Sequence, residues 1–120
     1  MHNFRELKIW QRSMDFAVSM YRLVADFPSD EKYGIVSQIR RCAVSVPSNI
    51  SEGAGRATNR QFRHFLEIAI GSLNELQSQT EIAYRLLYLK KEVFESVMDE
   101  STRLQKMIRV FYNFLQPEST

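Results

Sequence analysis

The sequence predicts an all-α fold, an antiparallel up-down four-helix bundle in a single domain of residues 1–120. Three observations support this fold class. Apolar residues recur at alternating steps of three and four over long segments, which is the spacing of helices packed in a bundle. No segment alternates with a period of two for long enough to form a strand. The few glycines and prolines, four and three, include Pro28, Gly53, Gly55 and Pro117 at or near the expected helix ends.

The breaks set the expected helix ends. Pro28 disfavours helical backbone in the residue before it, and Ser29 or Asp30 can cap the helix that follows. The glycines of segment 53–55 end the second helix, and a short break at 89–91 precedes the last one. The predicted helices cover about residues 5–26, 31–54, 59–89 and 92–115.

Pro47 lies inside the second predicted helix. A proline there removes one backbone hydrogen bond and clashes with the preceding turn, at a cost of ~3 kcal/mol. Because the apolar spacing continues from Val46 to Ile50, we expect one continuous helix, kinked at Pro47, rather than two short helices.

The first and last helices each carry two neighbouring apolar stripes. One stripe of each helix continues the 3-4 alternation, and we assign it to the core: Leu7, Trp10, Met14, Ala17, Tyr21 and Val24 in the first helix, and Phe94, Val97, Ser101, Leu104, Ile108, Phe111 and Leu115 in the last. The third helix has a single such stripe, which runs from Phe62 to Leu87.

The second stripes predict self-association. Their members are Ile9, Phe16, Met20, Leu23, Met107, Val110 and Phe114. Full burial of one such side chain contributes roughly 1.5–3 kcal/mol, so exposed stripes of this size favour a homo-oligomer interface. The alternative is a single wide core stripe on each helix.

Composition indicates a soluble globular protein, with 44% hydrophobic and 25% charged residues. No apolar run reaches the ~20 residues of a membrane span, and charges interrupt the apolar residues of segment 1–10, unlike a signal peptide. We therefore expect a cytoplasmic protein without membrane contact. The single cysteine, Cys42, is interpreted as a small buried hydrophobe.

The sequence offers little for catalysis. Of two histidines, His2 lies in a start expected to be flexible, and His64 precedes Glu67 in the reverse of the Glu-x-x-His order of di-metal bundles. Gly53-x-Gly55 lacks the lysine of a phosphate loop. We expect no enzyme activity, no metal and no cofactor. The catalytic alternative would use Glu52, His64 and Glu67.

A polar motif recurs at helical spacing on the second and third helices. Its members are Ser45, Asn49, Glu52, Gly53, Gly71, Ser72 and Glu75. We interpret it as a partly buried hydrogen-bond network that fixes the contact between these helices, with small residues such as Gly71 allowing close approach. A polar ligand pocket is the alternative.

Basic charge is concentrated in one part of the chain. Between Val36 and His64 there are five arginines and one acid, whereas Phe65 to Glu100 holds three bases and seven acids. The planar guanidinium of arginine can form paired hydrogen bonds with a phosphate group, so one interpretation is a surface that binds nucleic acid. The other is a face whose arginines are solvated or paired with acids of the same chain. The arginines are Arg40, Arg41, Arg56, Arg60 and Arg63.

Two blocks resemble a known family. Segment 45–53, Ser-Val-Pro-Ser-Asn-Ile-Ser-Glu-Gly, and segment 71–76, Gly-Ser-Leu-Asn-Glu-Leu, are similar to core motifs of the 23S rRNA-intervening-sequence proteins, a family of bacterial four-helix bundles. The similarity extends over nearly the whole chain. It implies a ring-like homo-oligomer, a pentamer, and kinship with accessory proteins of diversity-generating retroelements. Those proteins are basic pentamers that associate with a reverse transcriptase and nucleic acid, whereas this chain has a net charge of only +2.

Together these features predict a non-catalytic oligomeric binding module that contacts structured RNA or a ribonucleoprotein through an arginine-rich face. Its expected partners are copies of itself, RNA or DNA, and a reverse transcriptase or another nucleic-acid-handling protein. The alternative is a protein–protein scaffold without nucleic-acid binding, which would dock its partner on the acidic third and fourth helices or in the ring opening.

Overall fold

The computed structural model describes residues 1–118, which form four α-helices and contain no strand. The helices are α1 (Lys8–Val24), α2 (Ile35–Ala54), α3 (Asn59–Arg85) and α4 (Lys91–Phe114). They make a rod of 51 × 23 × 23 Å. The predicted all-α class and the number of helices are confirmed, while the last two residues of the predicted domain lie outside the described part of the chain.

Neighbouring helices run antiparallel. α2 packs against α1 and most extensively against α3, and α4 packs against α3 and, less closely, α1. Along each pair of neighbouring helices, the residue numbers of hydrogen-bonded partners increase on one helix and decrease on the other. The pairs are Cys42 with Glu75 and Ser45 with Ser72 between α2 and α3, and Arg63 with Leu115 and Gln77 with Ser101 between α3 and α4. This places the α2–α3 turn at the same end of the rod as the two chain ends.

Two helices begin later than predicted. α1 begins at Lys8 because Phe4–Glu6 forms a separate 3-10 turn, with the Asn3 side chain accepting from the backbone N–H of Arg5 at 3.2 Å. α2 begins at Ile35 because Ser29–Glu31 forms a second short 3-10 turn. Neither Ser29 nor Asp30 therefore caps α2, whose N-cap is Gly34.

The third helix ends earlier than predicted, at Arg85. Leu87 adopts a left-handed backbone (φ 65°), and the N–H of Tyr88 donates to the carbonyl of Ala83 at 2.9 Å, which is a Schellman-type helix end. Because the helix stops before it, Leu87 is 87% exposed, and its predicted place in the core is wrong.

α2 is continuous through Pro47, as expected, and the proline side chain is buried. The kink at this position stays a prediction. At the end of α2 the chain start is held in place, since the N–H of His2 donates to the carbonyl of Ala54 at 2.9 Å. The ring of His2 also lies 5.2 Å from that of Phe62, so the start of the chain packs against α3.

The core matches the predicted stripes of α3 and α4 but only part of the predicted stripe of α1. In α3 the predicted stripe from Phe62 to Ala83 is buried throughout.

In α1 the core takes members of both predicted stripes. Ala17 and Val24, predicted in the core, are buried. Phe16 and Met20, assigned to an oligomer interface, are each 1% exposed and belong to the core, as does Ile9. Met14 and Tyr21, assigned to the core, are 39% and 40% exposed.

Candidate binding surfaces

Ser45, Asn49 and Ser72 form a half-buried hydrogen-bond network between α2 and α3. The hydroxyl oxygens of Ser45 and Ser72 are 2.8 Å apart. The Asn49 side-chain amide donates to the carbonyl of Ser45 at 2.7 Å and to its hydroxyl at 2.9 Å. These polar groups satisfy one another and leave no donor directed into an open pocket, so the geometry supports a structural role in fixing the register of the two helices.

Cys42 and Glu75 continue this network one turn away. The Cys42 thiol donates to a carboxylate oxygen of Glu75 at 3.1 Å, and the Gln79 amide donates to the same oxygen at 3.4 Å. Burial, and secondarily the hydrogen bond to the Glu75 carboxylate, raises the pKa of Cys42 to about 11. The thiol is therefore protonated at neutral pH and poorly nucleophilic.

Two glycines of the polar motif have different roles. A Cβ atom at Gly53 would lie 2.7 Å from the Phe62 ring and 2.8 Å from the Cβ of Phe65, so glycine is needed for the close approach of α2 and α3. A Cβ atom at Gly71 would meet nothing within 4 Å. The predicted spacer role of Gly71 is wrong within this chain, because the residue faces outward.

Glu52 also lies outside the network. It is exposed and pairs with Arg56 at 3.0 Å, one helical turn away. His64 and Glu67 do not form a joint site with it: the His64 ring lies 5.7 Å from that of Phe65, and Glu67 accepts a hydrogen bond from the Tyr112 hydroxyl at 3.0 Å. Within residues 1–118 no group of three His, Cys, Asp or Glu residues is arranged to hold a metal ion.

Arg63 is engaged in the fold. Its guanidinium donates to the carbonyls of Tyr112 at 2.9 Å and Leu115 at 2.8 Å, and it stacks 3.8 Å from the centre of the Tyr112 ring. These carbonyls belong to the end of α4, where a helix lacks internal donors and attracts positive charge. Arg63 therefore caps α4 and is half-buried rather than displayed to solvent.

Arg40 is likewise occupied. Its guanidinium lies 4.9 Å from the Tyr21 ring and donates to the Tyr21 carbonyl at 3.4 Å, which joins α2 to α1. Arg41 is exposed and donates to the side chain of Gln38 on its own helix.

The five arginines thus do not share one face. Arg41 and Arg56 are 15 positions apart along α2 and its C-cap, which corresponds to ~20 Å of helix. Only Arg56 and Arg60 remain together at the surface, beside the α2–α3 turn, and Arg56 also lies 4.9 Å from the Phe65 ring. The half of the rod at this end, made of residues 1–16, 45–72 and 103–118, holds nine Lys and Arg residues against five Asp and Glu.

Two apolar grooves flank α1. The first, between α1 and α2, has a volume of about 710 Å³. We call it the α1–α2 groove; its apolar floor is formed by Phe4, Trp10, Met14, Val18, Tyr21 and Val44. The groove is lined by four residues of the stripe that the sequence assigned to the core of α1: Trp10, Met14, Ala17 and Tyr21.

The second groove, of about 660 Å³, lies between the start of α1 and the end of α4. We call it the α1–α4 groove. Its lining includes Ile9, Met107, Val110 and Phe114, four of the seven residues predicted at an oligomer interface. Val110 is 70% and Phe114 73% exposed, whereas Leu23 is half-buried near the start of α4.

Comparison with known proteins identifies the family. Residues 5–110 match the model of the 23S rRNA-intervening sequence proteins. The chain belongs to this family. A solved structure with the same fold is a protein of unknown function from the S23 ribosomal protein family of Bacteroides thetaiotaomicron, with a TM-score of 0.78 and 25% sequence identity over 87% of this chain and 97% of that chain. No curated protein matches the chain.

The 23S rRNA-intervening sequence family match covers both halves of the polar network and all five arginines, and it ends at Val110, before Phe114. None of the described helices is long and apolar enough to cross a membrane.

Proposed function

We propose that this protein is a non-catalytic binding module that assembles with copies of itself and acts by contacting a macromolecular partner. The observation that carries the proposal is the exposed apolar stripe of α4 in the α1–α4 groove. Val110 and Phe114 are large, neighbouring and more than two-thirds exposed. Burial would stabilise an assembly by roughly 1.5–3 kcal/mol for each such side chain, which a second copy of the chain can supply.

The rim of this groove is compatible with a copy of the same chain. It carries Glu6 together with Lys8 and Lys106, so charges of both signs are available to pair across an interface. A ring-like homo-oligomer, specifically a pentamer, is the form of assembly that we propose from the family resemblance.

Light scattering coupled to size-exclusion chromatography tests the assembly. We expect the wild-type mass to be a multiple of the 14.1 kDa chain mass, and the double variant Val110→Asp/Phe114→Asp to be a monomer. Leu87→Asp is the matched control, because it places the same charge on an exposed leucine that lies outside the groove. A wild-type monomer at micromolar concentration, or a double variant with unchanged mass, would contradict self-assembly through this groove.

A second candidate function is contact with structured RNA at the basic end of the rod. The observation that favours it is the excess of Lys and Arg over Asp and Glu around the α2–α3 turn, where Arg56 and Arg60 are exposed. Arginine binds phosphate with a planar fork and is suited to this task. A nucleic-acid-handling protein, such as a reverse transcriptase, is the associated protein partner that the resemblance implies.

Fluorescence anisotropy of a structured RNA across a salt titration tests this second function. Each phosphate contact contributes about −0.7 to −0.9 to the slope of log affinity against log salt. Arg56→Ala/Arg60→Ala should flatten the slope, whereas the control Arg85→Ala/Lys91→Ala should not, since these cations lie at the other end of the rod. Arg63 is left unchanged because its loss would disturb α4. An equal effect of the two double variants, or no binding at low salt, would exclude this surface.

A further inference from the structure

We propose that the α1–α2 groove is the docking site of an amphipathic helix from another protein, one whose apolar stripe is flanked by acidic residues. This inference goes beyond self-assembly through the α1–α4 groove and does not depend on it. It rests on the shape, the residue types and the charge of the α1–α2 groove.

The floor of the groove is apolar and open to solvent. Met14, Val18, Tyr21 and Val44 are each between 39% and 46% exposed, although they lie side by side along two helices. The groove follows the axis of α1, as a surface that accepts a helix must. Trp, Tyr and Met are also residue types enriched in the centres of protein interfaces.

Positive charge flanks the apolar floor. At one end, the Arg5 guanidinium lies 5.3 Å from the ring of Phe4 and 5.7 Å from that of Trp10. At the other end, Arg22 lines the groove beside Tyr21. None of the residues that line the groove is acidic. A partner must therefore supply the negative charges, which selects against a neutral or basic helix.

The distance between the two ends of the α1–α2 groove sets the length of the partner helix. Trp10 and Tyr21 are eleven residues apart on α1, so the aromatic side chains and the arginines beside them are separated by ~16 Å, or three turns. An antiparallel or parallel partner helix would carry its acidic residues at the same separation, with apolar residues at every third or fourth position between them.

A second copy of this chain is a poor match for the groove. The exposed stripe of α4 is flanked by Lys106 and Arg109, which would face the groove arginines with the same sign of charge. The exposed leucine at the end of α3, Leu87, is followed closely by Lys90 and Lys91. α3 also exposes Ile68 and Ile82, but the exposed Glu75 lies midway between them on the same face, so α3 offers no continuous apolar stripe to the groove. Charge and the continuity of the stripe thus favour a different protein as the occupant.

The test uses two synthetic helical peptides of about 18 residues, or five turns, each with the same leucine stripe. One carries glutamates on both sides of the stripe and the other carries lysines at the same positions. Trp10 is the only tryptophan of the chain and lies in the groove, so its emission reports occupancy directly. We expect the glutamate peptide to shift the emission saturably and to bind at least about tenfold more tightly than the lysine peptide.

Variants make the test specific. Met14→Glu should weaken binding of the glutamate peptide at least about tenfold, whereas Leu87→Glu, which places the same charge on an exposed residue outside both grooves, should leave it within about twofold. Both positions are exposed, and circular dichroism at 222 nm confirms that the variants are folded. Arg5→Glu/Arg22→Glu should reverse the preference and favour the lysine peptide.

Four results would overturn the proposal. The first is no binding of either peptide, the second is equal binding of both, and the third is no effect of Met14→Glu on binding. The fourth is an oligomer that Met14→Glu converts to a monomer in light scattering, which would assign the groove to a second copy. That result would still agree with self-assembly of the chain. In contrast, a wild-type monomer that binds the glutamate peptide would refute self-assembly but would support docking in the α1–α2 groove.

Discussion

Gly53 is the residue at which a single methyl group should have the clearest effect on stability. In Gly53→Ala the new Cβ atom would lie 2.7 Å from a ring carbon of Phe62 and 2.8 Å from the Cβ of Phe65. Ordinary contacts of a Cβ atom begin near 3.4 Å. The Phe62 ring can rotate slightly, but the Phe65 Cβ is attached directly to the backbone of α3, so α2 and α3 must separate.

Two opposing effects decide the magnitude. Alanine is favoured over glycine within a helix by about 0.5–1 kcal/mol, and this gain is at its smallest near the end of α2, where Gly53 lies. Overpacking of a closely packed contact costs about 1–3 kcal/mol. The packing cost is larger, and we expect Gly53→Ala to lose about 1–2 kcal/mol of unfolding free energy.

Gly71→Ala is the matched control in the same chain. Its Cβ atom would meet nothing within 4 Å, and Gly71 lies in the interior of α3, so the substitution should stabilise the protein by about 0.5–1 kcal/mol. Urea unfolding followed at 222 nm, at one protein concentration, measures both changes. A shift of the midpoint in the same direction for the two variants would refute the assignment of Gly53 as the close-contact glycine.

Three further predictions concern other contacts. Arg63→Ala should cost about 1.5–3 kcal/mol in urea unfolding, because charge-assisted hydrogen bonds to the end of α4 are lost, whereas the exposed Arg60→Ala should change stability by less than about 0.5 kcal/mol; equal effects would contradict the capping role. A double-mutant cycle of Ser45→Ala and Ser72→Ala should give a coupling of about 0.5–1 kcal/mol, and additivity would show that the hydroxyl contact is dispensable. Because the folded chain keeps the Cys42 proton up to a pKa of about 11 while the unfolded chain releases it near the ordinary value of 9.0, stability should fall as pH rises between these values. Cys42→Ala should remove that part of the pH profile, and an unchanged profile would show that Cys42 does not cause it.

The sequence predicts the fold where one stripe per helix is apolar. In α3 the interval from Phe62 to Ala83 contains one continuous stripe, and its burial follows from helical geometry alone. In α1 there are two stripes about 100° apart, since Ile9 and Trp10 are neighbours in the chain. Periodicity predicts both but cannot decide which one faces α2 and α4, because that depends on the direction in which the chain enters the helix.

The arginines show a second limit on predicting function from the sequence. Residue type predicts that Arg63 can bind an anion, but the acceptors it actually uses are backbone carbonyls of α4, 49 and 52 positions later in the chain. Because every residue has a backbone carbonyl, the sequence does not indicate which carbonyls Arg63 will bind. In contrast, the pairing of Arg56 with Glu52 is readable from their separation of four residues on a helix.

These two limits together separate residues that maintain the fold from residues that are available for binding. Arg63 looks functional in the sequence, yet its guanidinium binds carbonyls inside the bundle, whereas Gly53 and Ser45, predicted to be structural, do make contacts between α2 and α3. Trp10 and Met14 look like ordinary core residues, yet the bundle leaves both in the open α1–α2 groove, and Phe114, predicted at an oligomer interface, lies in the α1–α4 groove. Because a contiguous apolar surface gains little for the monomer, these grooves support the proposals that a partner or a second copy docks there. Functional experiments on this protein should therefore begin with the grooves that flank α1, before the arginines.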